Sequence, residues 1–258
     1  MGINTKEEAI KDRKIGQIMG INVISTTAAS LLARVEEYIS DNDKFYIVTP
    51  NPELVLASQS NVELKEALNS ADFPVPDGTG LKLAVPGLKI IRGRELFLEL
   101  VKLANEKKWR VFLLGGLGDE AGVASRKLQI TNNKLQIKYD KGPKLKENGE
   151  SVTEINKKLE KDAIDKINKF SPQLLFVAFG NPKQEIWVHR NLAKLNIGGA
   201  MAVGGAFRYV AGLSPLPPKW MEKCGLEWLW RLITEPKRIG RIFNAVVVFP
   251  LRLFLFSS

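Results

Sequence analysis

Cysteine and histidine are nearly missing from this sequence: Cys224 and His189 each stand alone among 258 residues. One thiol closes no internal disulfide, and neither residue has the companions that a Cys/His metal site needs, so no metal is expected. Long apolar runs are missing too, and nothing approaches the roughly 20 residues of a spanning helix. The opening stretch, "MGINTKEEAIKDRKIGQIM", is charged and lacks the apolar core of a signal peptide. A reducing cytoplasm is the expected location. No Walker A pattern occurs, and the glycine run "GGLGDEAG" falls short of a full GxGxxG, which leaves a nicotinamide-dependent oxidoreductase as a second reading. Negative charge is scarce: 28 acidic residues face 38 basic ones, a formal net charge of +10. Such an excess suits nucleic acid, an anionic membrane surface or a phosphorylated substrate.

The charge is concentrated near one end. From Leu216 onward, Lys219, Lys223, Arg231, Lys237, Arg238, Arg241 and Arg252 face only Glu222, Glu227 and Glu235, and Trp220, Trp228 and Trp230 lie among them. The closing run "IFNAVVVFPLRLFLFSS" is interrupted by Pro250 and Arg252 and is too short to span a bilayer. Apolar and aromatic residues beside cations fit a helix lying in the membrane interface. A tail packed on its own domain or on a second copy of the chain is the alternative. No groove-reading or base-stacking motif accompanies the charge, so nucleic acid is not an expected partner.

The body of the chain alternates strand-like and helix-like segments. Strands are expected at 44–49, 109–116, 134–140, 173–180 and 198–205, several of them apolar on both faces as buried parallel strands are. Between the third and fourth, Val152, Ile155, Leu159, Ile164, Ile167 and Phe170 recur at helical spacing, with Ser151 and Glu154 as a candidate capping box. The fold class is therefore α/β, a Rossmann-like sheet with helices on both faces. In such sheets ligands sit beyond the carboxyl ends of the strands. The residues there are Thr49 to Glu53, then Gly115, Gly116 and Gly118, then Gly180 to Glu185, then Gly204 and Gly205. Glycines at a helix start let backbone N–H groups approach a phosphate, so Gly115, Gly116, Gly118, Gly180, Gly204 and Gly205 are candidate nucleotide-binding positions. The acidic "DND" at 41–43 precedes a strand and reads as a solvated turn. In "VPDGTG", Asp77 before Gly78 is a turn signal and also a lone candidate carboxylate.

In order along the chain, "TPNPELV", "VPDGTGLKLA", "RGREL", "LLGG", "LLFVAFGNPKQEIW", "MAVGGAF" and "GLEWLWRL" resemble the WecG/TagA/CpsF family of bacterial glycosyltransferases, most of all its TagA branch. The likeness runs from Ile21 to about Arg241. It implies a GT-E type fold in three parts: an N-terminal extension (1–20), an α/β core (21–215) and a membrane-associating appendage (216–258). It further implies inverting, metal-independent transfer of N-acetylmannosamine from a UDP-sugar to polyprenyl-diphosphate-linked N-acetylglucosamine. That transfer belongs to wall teichoic acid or related surface polysaccharide synthesis, at the inner face of the plasma membrane.

The same resemblance assigns roles to residues. Asp77 falls on the family's proposed catalytic base, and a positioned carboxylate suits a hydroxyl that must lose its proton as it attacks. Thr49, Asn51 and Gln184 match polar pocket positions, although a strand end, a turn and a helix cap would account for them as well. Arg231, Arg238 and Arg241 match arginines that close over the donor diphosphate, and their spacing would place them near one face of a helix continuing through Pro236. No cofactor is implied, since the UDP-sugar is a substrate, and family members often associate as homo-oligomers. The chain departs from the pattern at Ile90, where the family has arginine; Lys89, Arg92 and Arg94 are the cations that stand nearby. A soluble oxidoreductase and a non-catalytic membrane-surface module remain the competing readings.

Overall fold

The computed structural model describes residues 14–256. Six strands form one parallel sheet in the order β4-β3-β8-β7-β5-β6. They are β3 (Phe45–Val48), β4 (Phe73–Pro74), β5 (Arg110–Gly115), β6 (Gln136–Asp140), β7 (Leu174–Ala178) and β8 (Gly199–Ala202). The double-sided apolar character of β3, β5, β7 and β8 follows from the two layers they serve, whereas β6, at the sheet edge, is largely exposed. Tyr46, Val48, Phe112, Leu114, Leu175 and Val177 point into one apolar layer, and Phe45, Ile47, Val111, Leu113, Leu174 and Phe176 into the other. The alternation is the period of two that a pleated strand imposes. The expected strands are all present, and the "DND" turn is exposed.

Helices α1 (Ala28–Ser40), α4 (Gly93–Lys107), α5 (Glu120–Thr131) and α8 (Ala206–Val210) contribute to one layer. Helices α2 (Pro52–Ala57), α3 (Val62–Asn69), α6 (Glu154–Phe170) and α7 (Lys183–Asn191) contribute to the other. The cap of α6 is Thr153, which accepts the Asn156 N–H, and not Ser151, whose hydroxyl instead donates to Glu160 at 2.6 Å. Only Ala163 and Ile167 of α6 are fully buried, while Val152, Ile155 and Leu159 are exposed. The apolar spacing at the start of this helix therefore does not mark a core face.

Strands β1 (Lys14–Ile18) and β2 (Ile21–Ser25) form an antiparallel hairpin whose turn includes Met19 and Gly20. The division drawn after residue 20 therefore falls inside a hairpin, and Ile18, Ile21 and Val23 are core residues. Residues 1–13 of the expected N-terminal extension lie outside the described residues.

The C-terminal segment is built from α9 (Lys219–Lys223), α10 (Glu227–Thr234), α11 (Ile239–Phe243), a π-helical turn (Asn244–Val248) and α12 (Phe249–Phe256). Pro236 opens a separate 3-10 turn, Pro236–Arg238, because proline supplies no N–H to continue α10. Arg231 thus stands on a different element from Arg238 and Arg241, contrary to the single-helix expectation. Pro250 does not end the last helix; the widened π turn lies just before it, where a proline ring would crowd the preceding carbonyls. Phe249 is completely buried in the same apolar layer as Tyr46 and Trp187, and Leu253 packs beside it. The tail is thereby anchored to the core.

Removing a buried aromatic ring leaves a cavity and costs about 3–5 kcal/mol, whereas exposed substitutions stay within about 0.5 kcal/mol. Urea unfolding is expected to place Phe249→Ala in the first class and Phe254→Ala, whose ring is 79% exposed, in the second. Equal effects would mean that the tail does not share the core.

Candidate active site

A cavity opens beyond the carboxyl ends of β3, β4, β7 and β8 and is closed from above by α10 and its successors. Its lining gathers Thr49, Asn51, Asp77, Gly180, Gln184, Gly204, Gly205, Arg231, Arg238 and Arg241. These positions are scattered over almost 200 residues of sequence. Parallel strands bring them together because each crossover returns the chain to the same edge.

Gly115, Gly116 and Gly118 do not line it. Gly115 turns tightly against Ala178, where a Cβ would come within 2.9 Å of backbone. Just beyond, the buried Glu120 carboxylate accepts the Leu117 N–H at 2.9 Å. The Glu120 carboxylate therefore occupies the place at the start of α5 that the sequence reading gave to a phosphate.

Asp77 sits on the cavity floor. Its N–H donates to the Pro50 carbonyl at 2.8 Å, and its Oδ2 accepts the Gly93 N–H at 3.2 Å. Gly93 allows this close approach, since a Cβ there would lie tightly against its neighbours, 3.1 Å from Thr49 Oγ1 and 3.2 Å from Asp77 Oδ2. Burial raises the Asp77 pKa; Arg231 and the Gly93 N–H oppose that rise, and Glu227 reinforces it. The result is a carboxylate more basic than usual beside a cationic wall, a fitting property for a proton acceptor.

Asn51 caps α2 through its Oδ1, which accepts the Leu54 N–H at 2.9 Å, so its oxygen is committed to structure. Gln184 is 2% exposed, and its amide is fully engaged. Oε1 accepts the N–H groups of Gly180 and Gly204 at 3.3 and 3.1 Å, while Nε2 donates to Asn181 and Glu185 at 2.7 and 2.8 Å. Gln184 therefore ties the loops after β7 and β8 together and has no free polar atom for a substrate in this arrangement. It shapes the floor. Beneath it, burial pushes the Glu185 carboxyl up to about 7 against the hydrogen bond from Gln184.

Arg92, Arg94, Glu53, Asn181, Tyr209 and Glu227 complete the polar lining. Arg92 and Arg94, among the cations near Ile90, both reach the cavity, whereas Lys89 is not in its lining. Ile90 itself packs against the core. Tyr209 carried no sequence signal; it lies under Arg94, whose guanidinium is 5.3 Å from the ring centre. Arg231 is largely desolvated, which works against its charge, but Tyr209, Asp77, Glu227 and Glu235 together outweigh that and hold it firmly protonated. Arg241 pairs with Glu53 at 2.9 Å and donates to the Asn181 carbonyl at 3.2 Å. Among the described residues, no group of three His, Cys, Asp or Glu is arranged to hold a metal ion.

Residues 16–257 match the family described as "Glycosyl transferase WecG/TagA/CpsF family". The chain belongs to that family. It is accordingly an enzyme, a glycosyltransferase, which sets aside the oxidoreductase and non-catalytic readings. Similar proteins in Staphylococcus aureus strains NCTC 8325 / PS 47, COL and MSSA476 are each 28% identical over 247 residues, covering 92% of this chain and 91% of the relative. Each is named N-acetylglucosaminyldiphosphoundecaprenol N-acetyl-beta-D-mannosaminyltransferase. The match reaches both the β1–β2 hairpin and the C-terminal helices, beyond the limits of the motifs quoted above.

The pKa of Asp77 in the folded protein lies above its unfolded value, so its ionisation opposes folding. That penalty is present above the folded pKa and disappears below the ordinary carboxylate range, near pH 4. Asp77→Asn is therefore expected to melt no lower than the wild type at pH 7, with any advantage closing as the pH falls through that window. A large drop in melting temperature at pH 7 would give Asp77 a structural role.

Proposed function

We propose that this family member transfers N-acetylmannosamine from UDP to polyprenyl-diphosphate-linked N-acetylglucosamine, with inversion at the anomeric carbon. The observation that carries the reading is the placement of one desolvated carboxylate, Asp77, in a cavity lined by Arg92, Arg94, Arg231, Arg238 and Arg241. The names of the relatives support the donor sugar and the acceptor.

In the proposed step the acceptor hydroxyl gives its proton to Asp77 as its oxygen attacks the anomeric carbon. The bond from that carbon to the diphosphate breaks with its electron pair staying on UDP. Attack opposite the leaving group inverts the centre. Charge that grows on the diphosphate is met by guanidinium groups, which bind phosphate oxygens in a fixed geometry and, in a desolvated site, without reorganisation. This supplies the electrostatic work without a metal. Thr49 and the Asn51 amide nitrogen remain available on the strand β3 side to orient a sugar.

The acceptor's lipid places the reaction at a membrane, and no helix of the described residues is long and apolar enough to cross one. Docking through the C-terminal segment fits its surface. Of the 21 exposed large apolar side chains among the described residues, 12 lie beyond residue 212, among them Trp220, Phe243, Leu251 and Phe254. Lys219 and Arg252 are exposed on the same segment. Apolar insertion with cations facing anionic headgroups would hold the cavity over its lipid-linked substrate.

Two measurements test this. Release of UDP from UDP-N-acetylmannosamine in detergent micelles is expected to require the lipid-diphosphate N-acetylglucosamine acceptor and to survive a chelator. Asp77→Asn is expected to lower it by about 10²–10⁴-fold. Equal rates in mutant and wild type would remove Asp77 from the chemistry, and loss of activity with chelator would require a metal. Separately, sedimentation with vesicles is expected to be strong for anionic lipid, weak for zwitterionic lipid and reduced by salt. Indifference to lipid charge would refute the electrostatic part of docking.

A further inference from the structure

The cations of the cavity are already matched by the protein's own anions. Arg92 Nε contacts the Glu227 carboxylate, and its Nη2 donates to the Glu222 carbonyl at 2.9 Å. Arg94 meets Glu222 Oε1 at 2.7 Å. Arg231, the cation of α10, is drawn to Asp77. Glu227 and Arg231 are four residues apart on α10 and so share a face. The helix thus docks by crossed charges: its Glu227 on the core's Arg92, its Arg231 toward the core's Asp77.

This arrangement leaves little room. The cavity encloses about 140 Å³, below the roughly 300–1,000 Å³ usual for small-molecule sites. A nucleotide sugar cannot enter without displacing part of the lining. The groups best placed to yield are those held by exchangeable charge pairs, and a carboxylate on a guanidinium is a close electrostatic mimic of a phosphate oxygen pair.

We propose that Glu227 is an internal stand-in for the substrate's diphosphate. It occupies Arg92 while the site is empty, and an incoming diphosphate displaces it and takes Arg92 as a ligand beside Arg231. Binding of the anion therefore frees the first turn of α10 from α4. The inference rests on the reading of the donor as a nucleoside diphosphate sugar, and it adds Arg92 and Glu227 to the residues that set donor affinity.

Calorimetric titration of the full-length protein with inorganic pyrophosphate and, separately, with UDP provides the test. Loss of a competing ion pair of ordinary strength is expected to tighten both ligands about fivefold in Glu227→Gln. Arg92→Ala is expected to weaken both, and adding Glu227→Gln to Arg92→Ala is expected to gain less than about twofold, because the competitor has lost its direct partner. Glu227→Asp, which keeps the charge, should stay within about twofold of wild type, and thermal melts establish that each variant is folded. The proposal is overturned if Glu227→Gln binds pyrophosphate no tighter than wild type, or if it gains as much in the Arg92→Ala background, which would mark a general charge effect. Pyrophosphate following the pattern while UDP binds to no variant would overturn the nucleotide reading and leave the anion site standing. Binding of neither ligand would overturn both.

Discussion

Everything at this site depends on the parallel run of the sheet. Because β3, β4, β7 and β8 all end at one edge, four short loops with little sequence in common deliver their polar groups to a single place. The strands themselves are apolar on both sides and fully enclosed by helices, so they carry no chemistry. They supply rigidity. The Gln184 amide converts that rigidity into a fixed floor by binding the N–H groups of two loops at once, and Gly93 allows α4 to begin directly against Asp77. A Cβ at 93 would press on both the Asp77 carboxylate and Thr49.

Electrostatics then connects the core to the C-terminal segment. Asp77 lies on the core, and the cation that influences it most, Arg231, comes from α10. Each group offsets the other's burial: without Arg231, burial would raise Asp77 further, and without its anionic neighbours the Arg231 charge would be desolvated with nothing to compensate it. The segment also has a mechanical anchor, Phe249 in the apolar layer, and a flank of exposed apolar side chains suited to a lipid surface. Cavity-lining charge, core packing and an exposed apolar flank therefore meet in the same stretch of about 40 residues.

Much of this was legible in advance. Five of the strands followed from apolar runs bounded by turn residues, and the α/β class followed from their alternation with helices. Asp77, Thr49, Asn51, Gln184 and the three arginines were found by motif resemblance, and all of them line the cavity. Where the geometry differs from the sequence reading, the causes are physical. The glycines after β5 read as a phosphate cradle because glycine signals backbone freedom but does not say what fills the space; Glu120, three-dimensionally adjacent, fills it. Gln184 read as a substrate contact because one residue type serves equally to bind a ligand or two loops. The short β4 and the β1–β2 hairpin gave little periodicity over so few residues.

What the sequence by itself determined is the set of elements and the kinds of group available, because hydrophobic period and turn chemistry are local. It also determined the basic, aromatic character of the C-terminal segment. Only the tertiary structure decided which charges face one another, since Arg92 and Glu227 are separated by 135 residues and no local rule pairs them. It alone decided that Arg231 and Arg241 converge from separate helices, that the Gln184 amide is saturated, and that the tail shares the core through Phe249. Pairing, saturation and burial are properties of groups brought together from far apart, and they exist only after the chain has folded.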